Sequence, residues 1–211
     1  MEADFVVRQE LTPGQLNLIA RSAGLSSGRS LIDVGCGNGS WLVPLRQKGW
    51  NVAGLEEKAN AAGAGEFVSI GSPAATVPWQ PHSQDAILFR GTSIFTAREY
   101  SPELMIGLAN LGSSLKARGH LLIPLTGSNS EQMEANLLRW KSQLSVFPGT
   151  FRSRLLTPGI LHWLTLAFLS GPAASVTVID FQVGRQLVSR LEWHQLARTA
   201  VMSRLNSPAV A

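Results

Sequence analysis

The feature that most constrains this chain is a short apolar run leading directly into a glycine-rich loop. The run LIDV occupies residues 31–34, and GCGNG follows at residues 35–39. Glycines at alternate positions permit a tight turn and let the backbone approach a ligand without Cβ clashes. Residues 40–48 then predict a helix whose free N–H groups and positive dipole end face the loop. This strand–loop–helix unit predicts a nucleotide-like ligand at the carboxyl end of a parallel strand.

Two familiar nucleotide-binding motifs fit this loop less well. The dinucleotide fingerprint G-x-G-x-x-G, begun at Gly35, requires glycine or alanine at position 40, where the chain has Ser40. A phosphate-binding P-loop requires a lysine followed by serine or threonine after the last glycine, and none occurs there. Both motifs therefore fit the loop less well than a nucleotide-like site without their required residues.

The first 126 residues alternate short apolar runs with helical patterns, which predicts an α/β fold with a parallel sheet covered on both faces. Thr12 is a candidate N-cap for the first helix, with Pro13 in its first turn. We predict strands at 29–34, 51–55, 66–70, 85–90 and 120–125, helices at 15–23, 40–48 and 101–117, and a short helical or loop segment at 59–64.

The pattern changes beyond residue 126, where we predict a helical, aromatic insertion or lid after strand five. Helices are expected at 131–146 and 157–171, a turn at 147–149 and a strand at 175–183. Residues 186–205 fit either a helix or a returning hairpin strand. Trp140, Trp163 and Phe168 either pack these helices on the sheet or line an apolar substrate pocket.

Composition narrows the class of protein. A hydrophobic share of 45% and a charged share of 15% predict one globular domain over residues 1–211, with a cofactor-binding core at about 12–126 and a variable substrate-side region at about 127–211. The longest apolar run, residues 160–169, is too short to span a membrane. No secretory signal is visible, and a single cysteine fits a cytoplasmic protein without a membrane association. The net charge of +4 is dispersed, which disfavours but does not exclude nucleic acid as a partner.

With these features in hand, the chain resembles class I S-adenosylmethionine-dependent methyltransferases of the type 11-like group, whose fold is Rossmann-like and doubly wound, with a mostly parallel sheet. The run DVGCGNG at residues 33–39 is similar to their motif I, an acid followed by G-x-G-x-G. The resemblance continues in order through VAGLE at 52–56, GS at 71–72, PW at 78–79, QDAIL at 84–88 and LKARGHLL at 115–122. It covers roughly residues 12–126.

The resemblance implies S-adenosylmethionine as the methyl donor and assigns roles by position. Asp33 would orient the methionine amino group, and Glu56 would accept hydrogen bonds from the ribose hydroxyls. Ser72 stands where the family has an acid that touches adenine, and Arg90, a bulky residue unexpected after strand four, would border cofactor and substrate. The residues expected along the methionyl chain are Gly35, Cys36 and Gly37.

These observations predict a methyltransferase acting on a small-molecule acceptor. The alternatives are an RNA or protein methyltransferase and a non-catalytic cofactor-binding protein; Ser72 and Arg90 keep the last one open. Residues 89–92 read FRGT rather than Asn-Pro-Pro or Asp-Pro-Pro with an aromatic, which argues against methylation of base or amide nitrogens. No catalytic base is assigned. The four histidines lack metal-ligand spacing, so no metal is predicted, and Cys36 is interpreted as a small packing residue.

Overall fold

The computed structural model describes residues 11–58, 66–75, 77–90, 92–96, 99–125, 129–157 and 175–205. Within these ranges, helices flank a single sheet. Its strands are β1 (Ser30–Val34), β2 (Asn51–Glu56), β3 (Val68–Ile70), β4 (Gln84–Phe89), β5 (Leu115–Leu125), β6 (Gly149–Leu156) and β7 (Val176–Val183). The helices are α1 (Pro13–Ser22), α2 (Leu42–Gln47), α3 (Pro102–Ser114), α4 (Ser130–Leu144) and α5 (Arg190–Leu205), with a 3-10 helix at Ser93–Thr96.

The strand order of the sheet is β3-β2-β1-β4-β5-β7-β6. Strands β1 to β5 pair in parallel, and β7 lies antiparallel between β5 and β6. The chain leaves β1 toward β2 on one side and returns to β4 on the other, so the direction of winding reverses at β1. Open α/β sheets bind ligands outside the carboxyl ends of the strands at such a reversal.

Alternating side chains of the sheet build two apolar cores. Ile32, Val34 and Ile87 face the core that includes α3, α4 and α5, whereas Leu31 and Leu88 face the core that includes α1 and α2. Because both faces are covered, β1 and β4 are buried along their whole length. The predicted doubly wound, mostly parallel Rossmann-like sheet is therefore confirmed.

Helix starts follow the local sequence closely. The Thr12 hydroxyl accepts the backbone N–H of Gln15 at 3.2 Å, and the Gln15 side chain accepts the backbone N–H of Thr12 at 2.9 Å. This reciprocal capping box, with Pro13 in the first turn, places the start of α1 two residues before the predicted one. At the start of α3 the Ser101 hydroxyl accepts the Leu104 N–H at 3.2 Å, a single capping bond without the reciprocal one.

The boundary between α3 and β5 differs from the prediction. We expected the helix to run to about residue 117 and the strand to begin at His120, but α3 ends at Ser114 and β5 begins at Leu115. Leu115 pairs with Gln84, and the register then shifts before His120 pairs with Ala86. Arg118 in this irregular stretch has φ +60°. Residues 116–119 thus form an irregular start of the strand rather than the last turn of the helix.

The region after α4 contains a strand that the sequence analysis missed. Residues 149–156 form β6, which pairs antiparallel with β7 from Gly149↔Val183 to Leu156↔Val176. The ambiguous final segment is a helix, α5, and not a hairpin strand. The predicted segment at 59–64 lies outside the described residues, and so does the predicted helix at 157–171 beyond its first residue, with Trp163 and Phe168. No described helix is long and apolar enough to cross a membrane.

Candidate cofactor site

The glycine loop follows β1 at the carboxyl edge of the sheet. Gly35, Gly37 and Gly39 all have positive φ, at +84°, +64° and +71°. A Cβ on Gly39 would lie 2.7 Å from Cγ2 of Val68, so the loop packs closely on β3 there. Around Gly37 no atom lies within 4 Å of the corresponding position. The loop is therefore tightly packed at Gly39 and open at Gly37, where space is left for a ligand.

Asp33, near the end of β1, is fully buried and bonded within the chain. Its Oδ2 accepts a hydrogen bond from the indole Nε1 of Trp41. Arg90 holds both carboxylate oxygens, with Nε 3.1 Å from Oδ1 and Nη2 2.8 Å from Oδ2. Three donors in all converge on this one carboxylate.

Arg90 follows β4 and connects the two strands at which the sheet reverses. Its backbone N–H donates to the carbonyl of Val34 at 2.8 Å, while its guanidinium reaches Asp33 on the same neighbouring strand. The side chain keeps 17% of its surface exposed, whereas that of Asp33 keeps none. Of this ion pair, solvent can therefore reach only the positively charged guanidinium.

Glu56 lies at the end of β2 and binds the glycine loop at Gly37. Its Oε2 accepts the Gly37 N–H at 2.7 Å, and its Oε1 accepts the N–H groups of Glu57 and Lys58 at 3.0 and 3.3 Å. Only 4% of Glu56 is exposed. The sequence prediction that an acid at this position belongs to the same site as the loop is consistent with this contact.

The neighbouring Glu57, which was not among the residues predicted for the site, contacts one of them, Ser72. Its Oε1 accepts hydrogen bonds from the Ser72 hydroxyl at 3.1 Å and the Ser93 hydroxyl at 2.9 Å. Its Oε2 accepts the Ser93 backbone N–H. One carboxylate thus connects the ends of β2 and β3 with the 3-10 helix. The missing acid at Ser72, directly after β3, was the signal that could have indicated it.

Cys36 packs inside the loop. Burial raises the pKa of its thiol to about 12, and the carboxylates of Asp33 and Glu56 add to the effect while Arg90 opposes it. A Cβ on Gly54 would lie 2.5 Å from the Cys36 sulfur, so the thiol fills the space beside β2. A thiol that stays protonated is a poor nucleophile, which agrees with the packing interpretation.

Other candidate side chains serve other contacts. The Tyr100 hydroxyl bonds Ser142, and Trp140 is buried edge-on against Phe89 at 5.8 Å between ring centroids, which favours the core-packing interpretation of that tryptophan. His120 meets Asp180 at 2.7 Å. In the described part of the chain, no group of three or more histidine, cysteine, aspartate or glutamate side chains gathers as metal ligands.

One buried polar atom near the site lacks a partner among the described residues. The hydroxyl of Thr92, two positions past Arg90, is buried without a hydrogen bond. Buried hydroxyl groups are normally hydrogen-bonded, so such an atom calls for an explanation.

The sequence and the fold both resemble those of known proteins. The methyltransferase domain family matches residues 9–156, more than half of the chain. No curated protein matches the chain.

Solved structures share the fold at low sequence identity. A TehB-like SAM-dependent methyltransferase from Corynebacterium glutamicum is 19% identical, with a TM-score of 0.54, covering 80% of this chain and 86% of its own. A SAM-dependent methyltransferase from Thermotoga maritima, described as a possible histamine N-methyltransferase, is 19% identical, with a TM-score of 0.52 and coverage of 80% and 88%. A Haloferax volcanii methyltransferase in complex with the Trm112 activator is 14% identical, with a TM-score of 0.55 and coverage of 82% and 90%.

The family match and the sheet order lead to the same assignment. The predictions of a class I methyltransferase, and of S-adenosylmethionine as its methyl donor, are confirmed at the level of the family. The chain belongs to the methyltransferase domain family of enzymes.

Proposed function

We propose that this protein transfers a methyl group from S-adenosylmethionine to a small-molecule acceptor. The observation that carries the proposal is the Glu56–Gly37 contact of 2.7 Å, which holds the open middle of the glycine loop at the carboxyl end of β2. The residues fit the donor because the Glu56 carboxylate lies beside Gly37, around which the space is open, so that a ribose and a methionyl chain could lie side by side there. The donor supplies a methyl already activated on a sulfonium, so the protein mainly positions the acceptor in line.

We assign the donor-binding residues along this edge in order. Asp33, Gly35, Cys36 and Gly37 are proposed for the methionyl end, and Glu56 for the ribose. Glu56 already accepts three backbone N–H groups, and a carboxylate has roughly four acceptor positions. One position therefore remains for a ribose hydroxyl.

The adenine end departs from the family pattern at Ser72. We propose that Glu57 supplies the negative charge there, since its carboxylate lies 3.1 Å from the Ser72 hydroxyl. Ser72 would then contact the base while Glu57 orients it. This assignment explains how a site without the usual acid can keep an acceptor for the adenine amino group.

The distribution of charge supports a small-molecule acceptor over a polyanion. The net charge of +4 comes from cations dispersed along the sequence, and no run of lysines and arginines forms a stripe that could track a phosphate backbone. The Thermotoga neighbour, which is described as a possible histamine N-methyltransferase, is in line with a small acceptor on this fold. The Thr92 hydroxyl is proposed as a polar contact to the acceptor.

The decisive experiment is calorimetry with S-adenosylmethionine and S-adenosylhomocysteine, followed by an assay of S-adenosylhomocysteine release over an acceptor library. We expect both ligands to bind and the Asp33→Ala variant to bind at least about 10-fold more weakly, since the variant leaves Arg90 unpaired. Absence of binding, or equal binding by a folded Asp33→Ala variant, contradicts the donor assignment.

The acceptor library separates the alternatives. Transfer to RNA or protein alone supports a macromolecular acceptor, and the Haloferax neighbour in complex with Trm112 makes an added activator a sensible arm of that assay. Binding without transfer to any acceptor supports a non-catalytic role.

The proposal that residues 1–211 form a single domain is tested by comparing the 211-residue chain with one that ends at residue 126. Only the 211-residue chain should unfold cooperatively.

A further inference from the structure

The buried acid of the loop, Asp33, is occupied by the protein itself. It has no exposed surface, and the side chains of Trp41 and Arg90 provide three donors to its two oxygens. These donors take three of the roughly four acceptor positions of the carboxylate. Because the carboxylate has no exposed surface, an ammonium group of a ligand could reach it only by moving one of these two side chains. Stripping a buried carboxylate of a bidentate arginine is strongly unfavourable. Asp33 is therefore placed to hold Arg90 rather than a ligand.

Arg90 still has hydrogen-bonding capacity after this pairing. A guanidinium carries five N–H donors, and two of them, on Nε and Nη2, point at Asp33. The remaining edge, formed by Nη1 and Nη2, is the second of the two edges that can take a carboxylate in a bidentate manner. Among the described residues, no other acceptor is bonded to the Arg90 side chain, and 17% of that side chain is exposed.

We propose that Arg90 binds the α-carboxylate of the methyl donor through this second edge, and that Asp33 and Trp41 are positioning residues for its guanidinium. The inference rests on the proposed function and changes the chemistry of its methionyl end. The group recognised there is the carboxylate rather than the amino group. Because the Asp33 carboxylate neutralises the same guanidinium from behind, the arginine can be held in the cleft without an uncompensated buried charge.

A series of four nucleosides tests which end of the donor is recognised. Calorimetry would compare S-adenosylhomocysteine, its decarboxylated analogue, its deaminated analogue and 5′-methylthioadenosine, which has neither group. We expect removal of the carboxylate to weaken binding about 10- to 100-fold, the range of a charge-assisted bidentate pair. Removal of the amino group should weaken binding less than about threefold. The reverse order overturns the inference.

Variants connect the preference to the arginine. In Arg90→Gln, the carboxylated and decarboxylated ligands should bind equally, while 5′-methylthioadenosine binds as it does to the wild type. Arg90→Lys should keep only part of the preference, because lysine lacks the bidentate geometry. Trp41→Phe removes one donor to Asp33, and a smaller loss of the carboxylate preference is expected. Arg29→Gln, on an ion pair with Asp85 at the opposite edge of the sheet, is the matched control and should leave the preference unchanged.

The outcomes separate this inference from the proposed function. If none of the nucleosides binds, both fail. If S-adenosylhomocysteine binds but loses nothing on decarboxylation, the donor assignment stands and the role of Arg90 is wrong. If Arg90→Gln does not fold, the ligand series on the wild-type protein still decides the question.

Discussion

The Glu57 carboxylate lies 3.1 Å from the hydroxyl of Ser72, the residue that occupies the place of the family's adenine-binding acid. Glu57 also accepts the hydroxyl and the backbone N–H of Ser93. A charge missing from the end of β3 is thus present at the end of β2, one residue after the ribose-binding candidate Glu56. Under the proposed function, these two adjacent acids would serve two adjacent parts of the donor site, the ribose and the adenine.

The first prediction concerns this relocated charge. Glu57→Ala should weaken binding of S-adenosylhomocysteine about 10-fold, because a charged acceptor and the order it imposes on Ser72 and Ser93 are lost together. Calorimetry at fixed pH and salt measures the change. Glu134→Ala, an exposed carboxylate on α4, is the control and should bind normally. Unchanged affinity in a folded Glu57→Ala protein would return Glu57 to the class of surface acids.

The second prediction concerns Cys36. Because burial, Asp33 and Glu56 raise its pKa to about 12 in the folded protein, against an ordinary value of 9.0, its thiol should resist alkylation at pH 8 and react on unfolding in urea. The single cysteine makes mass spectrometry of iodoacetamide-treated protein unambiguous. Rapid modification of the native protein at pH 8 would contradict the burial.

The same shift predicts a pH dependence of stability. Below pH 9 the thiol is neutral in both states, and its favourable contribution to the free energy of unfolding is complete. Between pH 9 and about 12 the unfolded chain ionises first, so stability falls. Cys36→Ala should remove this pH-dependent component. In urea titrations, the difference in unfolding free energy between the wild type and the variant should therefore be smaller at pH 10 than at pH 8.

Where the sequence predicted the structure well, local signals agreed with one another. The strand that ends at Val34 has a buried apolar pattern followed by turn residues, and the helix after Thr12 begins at a capping sequence. Four of the five core strands lie within two residues of their predicted bounds. The exception, β5, begins early because Leu115 pairs with Gln84 although residues 116–119 lack the pattern of a strand. The residues near Leu115 in the sequence do not indicate that it pairs with Gln84.

Long-range contacts account for the rest. Strand β6 is an edge strand whose residues Gly149 to Leu156 are mostly exposed, so it lacks the apolar pattern of a buried strand and is defined by pairing with β7. In the candidate site, Asp33, Glu56 and Arg90 were proposed from their positions in the sequence. Which of them meet one another depends on side-chain conformation, and neither the Asp33–Arg90 pair nor the Glu57–Ser93 contact could be predicted from spacing.

The third prediction concerns Asp85 in β4, at the edge opposite the site. Burial alone would raise the pKa of its carboxyl, but hydrogen bonds from Lys116, from Ser30 and from Arg29 outweigh burial and hold the pKa well below the ordinary 3.8. Its stabilising contribution is therefore present above about pH 4 and is lost as the pH falls through the lowered value.

Asp85→Asn tests this linkage. At pH 7 the variant should lose about 2 kcal/mol of unfolding free energy, since the Lys116 and Arg29 pairs are partly exposed and only the Ser30 contacts are buried. The deficit should shrink progressively below pH 4. Urea unfolding at pH 7 and pH 3 measures it, and a deficit that is equal at both values would contradict the assigned pKa direction.

The last prediction concerns the contact that holds α5 on the sheet. Trp193 is 1% exposed, stacks on Phe147 with ring centroids 4.9 Å apart, and lies so close to Gly112 of α3 that a Cβ there would be 2.4 Å from its ring. Trp193→Ala should cost about 3–5 kcal/mol of unfolding free energy by leaving a cavity, and Gly112→Ala about 1–3 kcal/mol by overpacking. Because the two residues occupy the same space, the double variant should be less destabilised than the sum of the single variants. Leu191→Ala, 67% exposed on the same helix, should change stability by less than about 0.5 kcal/mol. Additive losses in urea unfolding would mean that Gly112 and Trp193 are not in contact, and that α5 is held on α3 by other residues.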